Sequence, residues 1–558
     1  MVAASLFRAD DEIIISNNNS NNVQGFYGSM AIDKVGEMTG DTSLQSPLLP
    51  ELLLTKSKDR DDLIKDETTK MIKLAIPCIG TYLLEMLPGV VTVMLVGRLK
   101  SSDDDSSPDA ISKQQLHLDA AALAVMFTNV IALAPALGLL TALDTLCSQA
   151  HGANKSSKMG RYSLTGFAVT FALFLLASPV LYNTTPVLIA LGQPLEVCQM
   201  AGIFIRYLIP GLPFLYLYES IRKISQSRNE AMPMLVSQLI CNVINLSLGY
   251  YLVHFTKLGW IGAAIARSVG SVSLVPTLLM GMVMGLGEDS SENAKDIKRH
   301  DDIESESQQN VDDKEFLQHI WEGFVAKEAL SPTAIKEFLL LGFPGMLQSV
   351  FAWVAFEVIA LLCGILPGDE AIIGIGANAV VLYVGNMTYM LYFGVGVSGN
   401  VRIGNALGAG DAHRAEVASF LTLGAGAAMA MINIAFLLTF RKSLPRLFTS
   451  DPDIIQKAQH LFLIVALFQL PDSINGAVQG IFRGSGRQAL AAKWNFAAYY
   501  CIGLPLGYLL GVKLGFGVEG LWLGITSGLL TIAISCTIII FRTDWAKLAH
   551  EAKQRLDR

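Results

Sequence analysis

The sequence predicts an all-α, polytopic membrane protein: twelve transmembrane helices in two six-helix lobes, related by pseudo-twofold symmetry about an axis along the membrane normal. Three observations predict it. The chain is 52% hydrophobic and only 16% charged, with a mean hydropathy of +0.45, where soluble domains carry about 25% charged residues. Its apolar residues gather in runs of roughly 20, the length that crosses a bilayer as a helix. The second half of the chain also repeats the first at a nearly constant separation.

The runs cover 71–97, 119–143, 162–182, 200–218, 232–253, 260–284, 335–365, 371–397, 418–440, 457–478, 493–511 and 517–541. Their continuity excludes a spanning β-barrel, whose strands are roughly ten-residue segments of alternating polarity. Charge collects between and outside them. The expected organisation is a disordered cytosolic tail (1–70), an N-lobe (71–284), a mostly disordered cytosolic linker (285–334), a C-lobe (335–541) and a cytosolic C-terminal tail (542–558). The stretches "SNNNSNN", "KSKDRDD" and 287–318 have little apolar surface to bury. No hydrophobic core of signal-peptide length lies near the N-terminus.

With both termini in the cytosol, the inner loops carry Lys155, Lys158, Arg161, Arg222, Lys223, Arg228, Arg402, Arg414, Arg483, Arg487 and Lys493. The outer loops at 183–199 and 366–370 carry no Lys or Arg, as the positive-inside rule requires. Arg441, Lys442 and Arg446 run against the pattern. A net charge of -7 with much of its acid in the soluble segments offers no nucleic-acid surface. The seven cysteines are scattered singly, with neither a disulfide framework nor metal-ligand spacing. The eight histidines fall almost all in loops and helix ends, which argues against a membrane-embedded enzyme.

The repeat is specific. "QAHGANKSSK" (149–158) matches "NALGAGDAHR" (405–414) at an offset of 256, and Pro213–Arg228 matches Pro471–Gly486 at 258. At the first helix of each half, Pro77 and Gly97 match Pro344 and Gly364 at 267, so the first outer loop of the N-terminal half is about ten residues longer. Six helices per repeat, an even number, give both halves the same topology, as in transporters with parallel repeats. Gly404, Gly408 and Gly410 are then read as a tight turn between helices, with positive φ and close packing. A nucleotide loop would need a preceding strand.

Several stretches resemble the multidrug and toxic compound extrusion (MATE) family, especially its eukaryotic branch. They are "VRIGNALGAGD" (401–411), "ALDTLCSQAHGA" (142–153), "WVAFEVIALLCGIL" (353–366), "QGIFRGSG" (479–486) and "GLPLGYLLG" (503–511). The resemblance implies two lobes that alternate access and export organic, often cationic, compounds against protons or sodium, protons being usual in eukaryotic members. It further implies a monomeric multi-pass protein of the plasma or vacuolar membrane, with a small organic molecule as its partner and no cofactor beyond the coupling ion. The alternative is a lipid-linked sugar flippase of the same superfamily.

A carboxylate at membrane depth costs roughly 2.5 to 3.5 kcal/mol on insertion scales, so each one asks for a reason. Four stand out: Glu357, Asp472, Glu85 and Asp144. Eukaryotic relatives commonly carry two glutamates five residues apart in the seventh helix; Glu357 matches the second, and Ala352 replaces the first. A further family glutamate aligns with Tyr383, while Asp472 matches the acidic position of the tenth helix. The repeat sets Glu85 opposite Ala352, whereas bacterial relatives place their N-lobe aspartate near Thr92.

Glu357, Asp472 and Glu85 are therefore the expected ion-coupling residues. Asp144, beside the basic loop that follows it, is expected to be structural. Trp353, Tyr383, Tyr389, Asn378, Asn475, Gln348 and Tyr218 are candidates for the cavity wall through cation–π and hydrogen-bond contacts. Pro88 and Pro471 are expected kink sites.

Overall fold

The computed structural model describes residues 48–97, 108–286, 318–368 and 370–557. The tail 1–47 and most of the linker lie outside them. Among the described residues, twelve helices are long and apolar enough to cross a membrane. They are α1 (Arg60–Gly97), α2 (Gln115–Gly152), α3 (Ser156–Tyr182), α4 (Leu195–Ser227), α5 (Met232–Phe255), α6 (Ile261–Val283), α7 (Pro332–Gly364), α8 (Glu370–Gly408), α9 (Ala412–Phe440), α10 (Pro452–Ser485), α11 (Gln488–Lys513) and α12 (Gly517–Phe541). A further helix, α13 (Trp545–Asp557), follows. Among the described residues there is no strand.

The chain divides into Met1–Lys70 and Met71–Arg558. In the first unit the helix that becomes α1 already begins at Leu48, so 48–70 is helical rather than part of a disordered tail; Lys70 and Asp66 pair on it at 2.9 Å.

Several helices outrun their apolar runs. α4 continues to Ser227, α8 to Gly408 and α10 to Ser485. Arg222, Lys223, Arg402 and Arg483, expected in short loops, are therefore helical and buried, with 3–7% of their surface exposed. Hydropathy marks where the hydrocarbon ends; the helices go on because their polar ends pack against each other.

Prolines interrupt the helices locally. A 3₁₀ turn at Ile209–Gly211 lies within α4, and a π turn at Asn129–Leu133 precedes Pro135 in α2. Pro88 leaves α1 continuous. A proline cannot donate to the carbonyl four residues back, and that carbonyl, on Leu84, instead accepts from Asn242 Nδ2 of α5 at 2.9 Å.

Because α6 ends and α7 begins on one side, that side, here the linker face, also holds the α2–α3, α4–α5, α8–α9 and α10–α11 turns. The lobes are sealed together in the half of the helices nearer it, and the seal obeys the repeat. Gly152 of α2 lies against the backbone of Asn405 in α8, and Gly408 of α8 lies against the backbone of Gln149 in α2. These are one contact made twice, since each residue sits 256 positions from its counterpart. Deeper in, Gly138 meets Met346 of α7, and Gly394 meets Ile79 of α1, again repeat-related. Such reciprocity is what a twofold axis demands of an interface.

Gly404 and Gly408 therefore serve helix packing rather than the turn. Gly410 alone takes positive φ there, at 80°, and its repeat equivalent Asn154 takes 55°. Cross-lobe hydrogen bonds complete the seal. Gln149 Nε2 donates to Gly484 O at 3.0 Å, Asn405 Nδ2 to Ser227 O at 3.1 Å, and Thr145 Oγ1 to Arg483 O.

The expected C-terminal tail is the docked amphipathic helix α13. Its face of Trp545, Leu548, Ala549, Ala552 and Leu556 is buried, a spacing of three and four residues that puts them on one side. Its end reaches the N-lobe: Lys155 Nζ pairs with Asp557 at 2.8 Å, and Arg555 Nη1 donates to Gln149 Oε1 at 2.6 Å. Lys155 holds the Asp557 carboxyl below the ordinary aspartate value.

Two outcomes follow from this packing. Gly408→Val and Gly152→Val should each lower stability by about 1–3 kcal/mol through overpacking, measured by thermal melting in detergent. Gly89→Ala, with open space around it, should change nothing. The depressed Asp557 carboxyl means its contribution is complete above the unfolded value of about 3.9 and is lost as pH falls through the lower folded value. Amide exchange of 545–557 should thus be equally protected at pH 7 and pH 5, and faster in Lys155→Ala.

Candidate functional site

In the C-lobe, α7 buries Ala355 and Ile359 in the lobe core, and Phe356 sets its ring against Phe468, Tyr499 and Trp522 at 6.2–6.4 Å. Glu357 is two residues from both buried positions and hence on the other side of the helix, where it is exposed. One turn earlier on that side stands Trp353, 41% exposed.

Asp472 behaves differently. It is buried in α10, within electrostatic reach of Tyr389, Tyr392 and Tyr499. Tyr392 donates to Gln469 Oε1 and accepts from Asn433 Nδ2 at 2.7 Å, and Ser473 Oγ donates to Gly426 O at 2.6 Å. Neither Glu357 nor Asp472 has an ion pair among the described residues. Gln348 and Asn475 are fully buried, with Gln348 Oε1 and Nε2 and Asn475 Oδ1 unpartnered.

Two candidate wall residues are occupied elsewhere. Asn378 Oδ1 accepts from Trp522 Nε1 at 3.0 Å, a clamp between α8 and α12. Tyr383 stacks on Phe448, centroids 6.0 Å apart, beside the turn between α9 and α10 at the face opposite the linker. The structure thus gathers Tyr389 with Asp472 and adds Tyr392, Tyr499, Asn433 and Gln469. Polar side chains inside apolar runs were the signal that could have found these.

The N-lobe holds a charge cluster that the sequence reading missed. Glu219 and Arg222, three residues apart on α4, pair at 2.5 Å, and Arg222 Nη1 also holds Glu85 Oε2 of α1 at 3.1 Å. The guanidinium lies 4.9 Å from the ring centre of Tyr82 and 5.5 Å from that of Tyr218, and Gln226 Nε2 donates to Tyr82 Oη at 3.1 Å. Glu219 is 1% exposed, whereas the Glu85 side chain is 29% exposed. Asp144 pairs with Lys223 at 2.7 Å and, across the lobe boundary, with Arg483 at 3.8 Å. Its partners therefore come from α4 and α10, not from the loop that follows it.

The family model MatE matches this chain at residues 77–251 and 344–509, one segment in each lobe. Protein DETOXIFICATION 17 of Arabidopsis thaliana is 29% identical over 513 residues, spanning 92% of this chain and 98% of that protein. Multidrug and toxin extrusion protein 1 of Danio rerio is 26% identical, spanning 88% and 74%. The crystal structure of the eukaryotic MATE transporter AtDTX14 superposes with a TM-score of 0.73 at 27% identity, covering 88% of this chain and 99% of that one.

Removing one partner of a buried pair leaves a charge uncompensated, which costs about 3–5 kcal/mol. Lys223→Met, which leaves Asp144 only Arg483 at 3.8 Å, should lose a large part of that in thermal or denaturant unfolding, and Asp144→Asn with Lys223→Met should recover part of it, since Arg483 then loses its carboxylate. Equal losses in single and double variants would contradict the pairing.

Proposed function

Since this chain belongs to the MatE family, whose members are transporters rather than enzymes, we propose that it exports organic, principally cationic, compounds by proton antiport, with Glu357, Asp472 and Glu85 as its coupling carboxylates. One observation carries this reading: all three acids stand just beyond the seal. Glu357 is eleven residues past Met346 on α7, and Asp472 eleven residues before Arg483 on α10, about 16 Å in each case at helical rise. Glu85 follows one turn after Tyr82, whose ring meets Phe393 of the C-lobe at 4.7 Å.

On this reading Glu357 and Glu85, both open at the surface of their helices, meet the space between the lobes while the linker face is closed, and Asp472 stays buried behind Tyr389, Tyr392 and Tyr499. A proton taken up there removes a charge that is expensive at membrane depth, and so relieves the constraint on the lobe that carries it. A cationic substrate favours the ionised carboxylate and is expelled when the proton takes its place. Each pH unit supplies about 1.4 kcal/mol per proton, which sustains roughly a tenfold gradient of a neutral substrate. We place the linker face and both termini in the cytosol, where Lys155, Lys158, Arg228, Arg414 and Arg487 accord with the positive-inside rule. The protein would act as a monomer of the plasma or vacuolar membrane.

The test is efflux of a fluorescent organic cation from proteoliposomes under an imposed pH gradient and then a sodium gradient. Wild-type protein should respond to protons, and Glu357→Gln should fall to background while eluting as a folded species. Undiminished proton-driven flux in the variant would remove Glu357 from the mechanism; a response to sodium alone would replace the proton as coupling ion.

A further inference from the structure

α13 is one helix with two attachments. Its first turns belong to the C-lobe: Trp545, Leu548, Ala549 and Ala552 are buried in the core cluster whose other members all come from α7 to α12. Just before them, Arg487 of the α10–α11 turn donates Nη1 to Thr543 Oγ1 at 2.9 Å. Its last turn belongs to the other side. Leu556 is buried in the cluster that draws on both lobes and includes Ala150, Met159 and Tyr162 of α2 and α3.

The polar contacts divide in the same way. Lys155 Nζ and Lys158 Nζ, at the start of α3, both donate to the Leu556 carbonyl, at 3.0 and 2.5 Å. This is one of the last carbonyls of a helix, which have no partner within it. Lys155 also pairs with Asp557, so the tip of α13 brings a carboxylate and the negative end of the helix dipole to two lysines. Gln149 of α2 accepts Arg555 on its Oε1 while its Nε2 reaches Gly484 O of α10. The repeat does not copy this seat: at the offset of 256, Lys158 becomes Arg414 but Lys155 becomes Asp411, whose carboxylate caps α9 instead.

Contacts shift an equilibrium between two conformations only by the amount they differ between them. The root contacts of α13 lie within the C-lobe and survive a parting of the lobes, whereas the tip contacts exist only while the linker face is closed. We propose that α13 is an autoinhibitory latch: rooted in the C-lobe, it grips the N-lobe by its tip, keeps the linker face shut and lowers the fraction of molecules open there. This rests on the lobe motion of the reading above and on none of its coupling residues. Release needs no unfolding. The Lys155 and Asp557 side chains are already 37% and 59% exposed, so they part into water, and of the tip residues only Leu556 uncovers apolar surface.

The test is electron–electron double resonance on the full chain in nanodiscs at pH 7, without substrate, with the exposed Cys501 replaced and spin labels at Met232 and Ala489. These are exposed residues at the linker-face ends of α5 and α11, one in each lobe. Lys155→Ala with Lys158→Ala should raise the ratio of long to short distances about tenfold, the worth of an exposed ion pair and a charge-assisted hydrogen bond together. Lys155→Glu should raise it too, and Asp557→Lys added to it should bring the ratio back towards wild type, because the pair re-forms with its signs exchanged. Lys547→Ala, on the exposed face of α13, should leave it unchanged.

Wild-type ratios in both lysine variants overturn the proposal. So does a rise that the exchanged pair fails to reverse, which would make the lysines supports of the α2–α3 turn alone. No proton gradient or substrate enters the measurement, so a loss of coupled flux would fail the antiport reading and leave this result standing.

Discussion

The structure depends on a short-range constraint: at the linker face, helix backbones from the two lobes touch, and only glycine lets them. Gly152 on Asn405 and Gly408 on Gln149 are the same contact written twice by the internal repeat. A side chain at either position would fall on a carbonyl group. Close approach of this kind joins membrane helices where no hydrophobic drive exists between them. Being confined to one half of the helices, it also leaves the lobes with separate cores elsewhere, since one buried cluster draws on both lobes while the two others each belong to a single one.

Around that contact the chain places its buried charge. Asp144 lies between a lysine of its own lobe and Arg483 of the other, so opening the linker face would separate an ion pair as well as a packed surface. α13 adds a clasp, with Lys155 and Gln149 of the N-lobe holding its last residues. The proposed coupling acids are not part of the seal. They stand beyond it, and in the proposed mechanism their protonation loosens the seal from a distance.

Much of this was legible in the sequence. Continuous apolar runs and the 256-residue offset predicted twelve helices in two equivalent lobes, and the MatE match in both halves agrees. The glycines of "GNALGAG" read as a turn with positive φ and close packing; the close packing holds, but Gly404 and Gly408 make it from within the helix, because the apolar run stops near 397 while the helix does not stop until Gly408. The same limit hid Arg222 and Lys223. Hydropathy treats a charged residue as a boundary, yet these two are paired with acids on neighbouring helices, and pairing between distant segments has no local signature. The spacing of Glu219 and Arg222 on one helical face was the available clue.

On the proposed mechanism the two lobes part at the linker-face seal under control of the acids beyond it. Ser157 and His413 are repeat-equivalent, exposed positions flanking that seal. Spin labels placed there, after replacement of the exposed Cys501, would report its width by electron–electron double resonance in nanodiscs. A short distance should give way in part to a longer one as pH crosses the coupling range, with the response lost in Glu357→Gln, Asp472→Asn. One unchanging distance at every pH, or a response that persists without the two carboxylates, would contradict it.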